Sequence, residues 1–155
     1  ELLSLRVADV VDTHGQPLRY VAVRASKTKT GEGRTVLLNS AAGEAAARLA
    51  RTLLATGHDR QTPLFIGRKS KTAPIGRVQA WRLLRELFER ASIAGSVATH
   101  TLRKTFAAEM YRLLGGAIEK VRVALGHKSI TSTVCYLSFC NDEIDSALLA
   151  LGAEV

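Results

Sequence analysis

A tyrosine, two histidines and an arginine can hold a phosphodiester and attack it without a metal ion, and residues 100–136 carry all four as His100, Arg103, His127 and Tyr136. A phenol has an ordinary pKa of about 10, so Tyr136 attacks at neutral pH only if nearby cations favour its phenolate or a base takes its proton. Arg103 brings a planar, permanently charged guanidinium that grips two phosphate oxygens at once, which helps most as negative charge builds in a pentacoordinate transition state. His100 and His127 can each donate a hydrogen bond to a non-bridging oxygen or move a proton at physiological pH. Taken singly, Tyr136 reads as a packing aromatic and His127 as a loop histidine. Their joint order and spacing point to phosphoryl transfer.

The surrounding sequence must supply elements that bring these side chains together. Residues 99 to 115 read as a helix with Thr99 as its N-cap, and on it His100 and Arg103, three apart, share a face. The spacing of Leu102, Phe106, Met110, Leu113 and Leu114 predicts a buried stripe beside that face. Ala117 to Leu125 predicts a short helix with Ile118, Val121 and Leu125 inward, ended by Gly126, so that His127 is held just past a helix terminus. Ser129 predicts the N-cap of a further helix carrying Tyr136 about two turns along.

The pattern His100-Thr101-Leu102-Arg103, then Leu125-Gly126-His127 with the histidine twenty-four residues after the arginine, then Tyr136 nine residues later, closely resembles the tyrosine recombinases of the phage-integrase group. Arg103-Lys104-Thr105-Phe106-Ala107 and Ser129-Ile130-Thr131-Ser132-Thr133 fill the gaps in the style of that family. The resemblance covers nearly the whole chain as a catalytic domain. It implies that Tyr136 forms a 3′-phosphotyrosyl link and frees a 5′-hydroxyl, with bond energy kept in the intermediate and neither ATP, metal nor other cofactor required. It also implies a lysine general acid on a β-hairpin, for which Lys29 is the better match and Lys27 the fallback; plain phosphate contact is the alternative role for both. The family's first catalytic arginine comes three residues before a Glu-Leu pair like Glu1-Leu2, ahead of the first residue here. The 155 residues alone are therefore expected to be a poor catalyst. The family's separate amino-terminal DNA-clamping domain is likewise not within them.

Composition agrees with a polyanion partner. With 22 Lys and Arg against 14 Asp and Glu, the formal charge is +8 and the isoelectric point about 10.0, a footprint that nucleic-acid binders share with other surface-binding proteins. Double-stranded DNA is the partner the site chemistry selects. Phosphate contacts are expected from Lys27, Arg34, Arg68, Lys69, Lys71, Arg77, Lys104 and Lys128. No apolar run reaches the roughly 18 residues of a membrane span, and the start lacks the basic character of a signal peptide, so a cytoplasmic, nucleoid-associated protein is expected.

At 155 residues the chain reads as one domain. The expected fold class is α+β, mainly α-helical, with a small three-stranded antiparallel sheet packed on a helical bundle. Its strands are Val7 to Val11, Leu18 to Ala25 and Arg34 to Leu38, joined by turn chemistry at residues 12–17 and a glycine-bearing polar tip at residues 26–33. Ser40 predicts the N-cap of a scaffold helix from Ala41 to Thr56. Arg68-Lys69-Ser70-Lys71 reads as a basic loop, and Pro74 as the first turn of a helix to about Ala91 with Val78, Trp81, Leu84, Leu87 and Phe88 inward. Trp81 is thus assigned to the core rather than to base stacking. His14 and His58 read as solvated loop residues, and Cys135 and Cys140 as structural thiols.

From Asn141 onwards, Ile144, Ala147, Leu148 and Leu151 fall in helical register. In the family such a terminal helix often docks on a neighbouring protomer, here implying a tetramer on DNA; packing on its own domain is the alternative. Three other functions share some of these features. They are a DNA-binding module without cleavage, a type IB topoisomerase, and a metal-dependent nuclease using His100, His127 and Asp142, whose ligands lack a tight i, i+4 pair.

Overall fold

The computed structural model describes residues 2–25, 31, 33–67, 70–93, 95, 98–137 and 148–151. It is mainly helical with small antiparallel sheets, and divides into two compact units, residues 1–82 and 83–155.

In the first unit the predicted opening strand is a helical turn, α1 (Val7–Val10). Val7, Val10 and Val11 are all buried, a spacing of three and four that a helical turn puts on one side and a strand would split between two faces. Asp9 closes the turn by accepting the Arg6 amide at 2.8 Å, which favours helix over the β tendency of valine. With that segment withdrawn, the expected three-stranded sheet becomes two separate two-stranded ones.

The first pairs β1 (Tyr20–Val23) with β2 (Arg34–Leu37), Tyr20 opposite Leu37 and Val23 opposite Arg34. The turn before β1 forms around Asp12, whose Oδ1 accepts the amides of His14 and Gln16 at 2.8 Å each. Helix α2 (Ser40–Ala55) is capped not by Ser40 but by Asn39, whose Oδ1 accepts the Ala42 amide at 2.8 Å. Its Ala47, Ala50 and Leu53 enclose the core with Val7, Val10, Val11, Val21 and Leu64.

The second sheet pairs β3 (Ile66–Gly67) with β4 (Ser70–Pro74). Ser70 and Lys71 of the expected basic loop are therefore part of a hairpin arm, Arg68 and Lys69 lying outside the described residues, and Pro74, opposite Ile66, closes a strand instead of opening a helix. A strand end is one of the few sheet positions that tolerate the missing amide.

Helix α3 (Arg77–Arg90) buries only Phe88 among its residues. Trp81 is 41% exposed and Val78 and Leu87 more so, which corrects their assignment to the core: a periodic stripe shows which side of a helix is apolar, not whether anything covers it. Arg85 and Arg90 instead pair along the helix with Glu89 and Glu86.

The second unit is built on α4 (Thr99–Leu113), α5 (Ile118–Leu125) and α6 (Ile130–Val134). Its core is Ala107, Val121, Leu125 and Leu137, with Met110, Tyr111, Leu114 and Ile118 packed against them. The inward side of α4 is thus Ala107, Met110, Tyr111 and Leu114, at steps of three and four. Leu102, Phe106 and Leu113, expected in the buried stripe, are about half exposed or more. The contact with α5 forms around the small Ala107 and not around the larger residues one step away. Residues 148–151 include exposed Leu148, Leu149 and Leu151; Ile144 and Ala147 lie outside the described residues. Among the described residues no helix is long and apolar enough to cross a membrane.

Candidate active site

Three segments of the second unit deliver the reactive side chains. Helix α4 begins after Ala98, not with Thr99 as its cap, and the Ala98 amide is satisfied by Thr101 Oγ1 at 3.0 Å. His100 therefore stands in the first helical turn, where the unpaired amides and helix dipole favour negative charge. Arg103 follows on the same side, partly buried.

Helix α5 ends where Gly126 takes a left-handed conformation at φ 69°, which a residue with a Cβ adopts at a cost. His127 comes next, its amide bonded to the Arg122 carbonyl at 3.1 Å. Its own carbonyl accepts Arg122 Nη1 at 2.6 Å, and Arg122 in turn is paired with Glu119, Nε to Oε1 at 2.7 Å.

Ser129 caps α6 as expected, its Oγ accepting the Thr131 amide at 3.2 Å. Tyr136 lies just beyond the end of α6, in a turn closed by its amide to the Thr133 carbonyl at 2.9 Å. Buried Leu137 fixes the chain immediately after it.

These segments converge. The phenolic oxygen of Tyr136 lies 3.1 Å from His100 Nδ1, and the rings of His127 and Tyr136 are 5.3 Å apart between centroids, tilted by 35°. Arg103 Nη1 stands 3.4 Å from His127 Nε2, while the other nitrogen, Nδ1, is 3.0 Å from Thr133 Oγ1. The two histidines thus divide their contacts, His100 touching the phenol and His127 the guanidinium. A phenol with a base on its oxygen, beside a guanidinium and a second imidazole, can lose a proton and attack an anion held by the other two groups.

The remaining expected site residues are scattered or outside the described residues. Lys29 and Lys27, as well as Arg68 and Lys69, fall outside them, as do Cys140 and Asp142. Arg34 is partly buried at the start of β2, Lys71 lies on β4, and Arg77 is exposed at the start of α3. Lys104 and Lys128 are exposed next in sequence to Arg103 and His127. Cys135, expected to be a buried thiol, is exposed, because the turn that carries Tyr136 inward points its neighbour out. Among the described residues no cluster of three or more His, Cys, Asp or Glu could hold a metal ion.

Sequence reasoning passed over Thr133, Arg122 and Glu119. Their signals were a threonine three residues before the tyrosine and an acid–base pair at i, i+3 ahead of the histidine, both common on ordinary helices.

The hydrogen bond from Arg122, opposed by some desolvation and aided by its charge, holds the Glu119 carboxyl below the usual range. A depressed carboxyl stabilises the fold above its ordinary pKa and loses that contribution as pH falls through the folded value. The clamp on the His127 carbonyl should accordingly loosen only as pH falls below the ordinary glutamate range. Followed through the carbonyl carbon resonance of His127, wild type should show this transition and Glu119→Gln should not; at neutral pH the substitution should lower activity by less than about fivefold, because Glu119 is exposed.

A phenol, two imidazoles and a guanidinium thus meet on a small helical unit. The model of the phage integrase family matches residues 1–141, and the chain belongs to that family. Among individual relatives, the tyrosine recombinase XerD of Corynebacterium glutamicum is 33% identical over 120 residues, covering 74% of this chain and 38% of that protein. The crystal structure of XerA recombinase superposes with a TM-score of 0.74 at 24% identity, covering 100% of this chain and 53% of that one. A XerH site-specific recombinase bound to its palindromic difH substrate, a post-cleavage complex, gives 0.71 at 21% identity over 94% of this chain and 39% of that one. The fold is that of these recombinases, and the chain spans about two fifths of the XerD length.

Proposed function

We propose that the chain is the catalytic part of a site-specific recombinase that cuts and rejoins double-stranded DNA through Tyr136. The observation that carries this reading is the contact of the Tyr136 phenol with His100 Nδ1 at 3.1 Å, beside an Arg103–His127 pair 3.4 Å apart.

The phenol gives its proton to His100 and its oxygen attacks the scissile phosphorus. Arg103 and His127 receive the non-bridging oxygens, and two such groups side by side, both positive when the imidazole is protonated, gain most when an anion lies between them. The phosphodiester bond to the 5′ oxygen breaks, that oxygen takes a proton from Lys29 or, failing it, Lys27, and a 3′-phosphotyrosyl link remains. A 5′-hydroxyl from a partner strand then attacks that link and releases the phenol, so bond count is conserved and neither ATP nor a metal is consumed. Lys104 and Lys128 beside the site, with Lys27, Arg34, Arg68, Lys69, Lys71 and Arg77 elsewhere, bind backbone phosphates. Exchange between paired sites requires assembly on DNA, a tetramer joined through the carboxy-terminal helix, and a location with the chromosome in the cytoplasm.

The test incubates the 155 residues, and a version extended upstream through the reading frame, with a library of nicked duplexes. A denaturant-resistant protein–DNA adduct, insensitive to chelator, is the expected result. An extended protein that binds DNA and never forms the adduct would defeat the enzyme reading. Relaxation of supercoiled plasmid without exchange between paired sites would replace recombination by type IB topoisomerase action.

A further inference from the structure

We propose that Thr133 anchors the His127 ring at Nδ1, while Arg103 on the other side holds the neutral ring as the Nδ1–H tautomer with its Nε2 lone pair toward the guanidinium. Two contacts on opposite sides of the ring carry this. Thr133 Oγ1 lies 3.0 Å from Nδ1, and Arg103 Nη1 lies 3.4 Å from Nε2. A guanidinium has five N–H donors and no acceptor, so the nitrogen facing Arg103 must offer a lone pair. A neutral imidazole with its lone pair at Nε2 carries its proton at Nδ1, and the hydroxyl oxygen of Thr133 is there to receive it. Arg103 therefore selects this form, and the Thr133 hydroxyl, which can donate or accept, bonds the nitrogen that carries the proton.

The threonine is placed to hold that form rigidly. Its side chain is fully buried, 0% exposed, so water does not replace the hydroxyl, and a buried ring nitrogen left without a partner is costly. The α6 backbone fixes it from both sides: Ser129 caps the helix, and the Thr133 carbonyl holds the amides of Tyr136 and Leu137 at 2.9 and 3.3 Å. One residue thus joins the imidazole's orientation to the turn that carries the nucleophile. When phosphate enters and His127 takes up a proton, it adds at Nε2, and that nitrogen becomes a donor to a non-bridging oxygen while Nδ1 keeps its bond to Thr133.

Thr133 is a positioning residue, acting through His127. The tautomer assignment stands on geometry alone, and only its consequence for catalysis rests on the strand-transfer reading above. In protein labelled with 15N at histidine, two-bond imidazole correlations recorded where His127 is neutral should show the proton on Nδ1 in wild type and in Thr133→Ser. Arg103→Ala, which takes the donor from Nε2, should move population to the Nε2–H form, and Thr133→Val, close in shape and lacking the hydroxyl, should free the ring to turn, seen as a change in the His127 ring signals that serine does not cause. A wild-type ring protonated at Nε2 overturns the proposal, as does an Arg103→Ala variant that keeps the Nδ1–H form, a valine variant whose ring signals match wild type, or a serine variant that behaves like valine. If the valine variant does not fold, the wild-type and serine spectra still decide.

In the adduct assay the valine substitution should slow formation on the order of tenfold or more, the usual scale for removing the group that orients a ligating histidine, and serine should restore most of it. A correct tautomer pattern with no adduct from any protein would sink the strand-transfer reading and leave the role of Thr133 intact. An adduct formed equally fast by wild type and a folded valine variant would remove the catalytic consequence.

Discussion

Tyr136→Phe should abolish the covalent DNA adduct while leaving DNA affinity within about threefold. The substitution keeps the ring that packs 5.3 Å from His127 and deletes only the oxygen that meets His100 at 3.1 Å. A single neutral hydrogen bond is worth about 1 kcal/mol, too little to disturb binding dominated by phosphate contacts. The loss of a nucleophile acts on the chemical step alone, and in a hydrolase whose groups work as a unit it costs on the order of 10⁶ in rate. Trapping on nicked duplex, with proteolysis to locate the modified peptide, reads both quantities. Adduct persisting in the phenylalanine variant would transfer the chemistry to another residue.

Arg103→Ala should slow adduct formation by roughly 10² to 10³, the scale of removing one preorganised charge-stabilising donor. The same change deprives His127 Nε2 of its 3.4 Å partner, so the two effects are coupled and should not add with those of a His127 variant. Arg103→Lys keeps the charge and loses the planar fork, and should recover only part of the rate. Single-turnover measurements at saturating DNA separate this from binding: the rate constant should fall while the salt dependence of affinity changes by about one phosphate contact. A lysine variant as fast as wild type would mean that Arg103 acts as a simple point charge.

The site was more legible in the sequence than the fold around it. His100 and Arg103 could be placed on one helical face from their separation, and the histidine after Gly126 could be fixed because a glycine past an apolar period marks a helix end; the φ of 69° at Gly126 agrees. Ser129 gave a similarly clear start to α6.

Where the reading departed from the structure, local pattern and tertiary context gave different answers. Residues 7–11 are rich in valine and looked like a strand, but burial at helical spacing and the Asp9 cap make Val7–Val10 a turn of helix. On α4 the large apolar residues advertised a core face, whereas the contact is made around Ala107, whose small side chain carries little signal. Thr133 was hidden among hydroxyl residues from 129 to 133, any of which suits an exposed short helix; only its burial singles it out.

The quartet of reactive side chains spans residues 100–136, all inside the compact unit that begins at Leu83 and has a hydrophobic centre of its own. Its assembly therefore depends on neighbours close along the chain, which are quick to find one another during folding. Lesions confined to the amino-terminal hairpins should leave these four side chains together. Evolution could accordingly vary the residues before 83 while His100, Arg103, His127 and Tyr136 stay assembled.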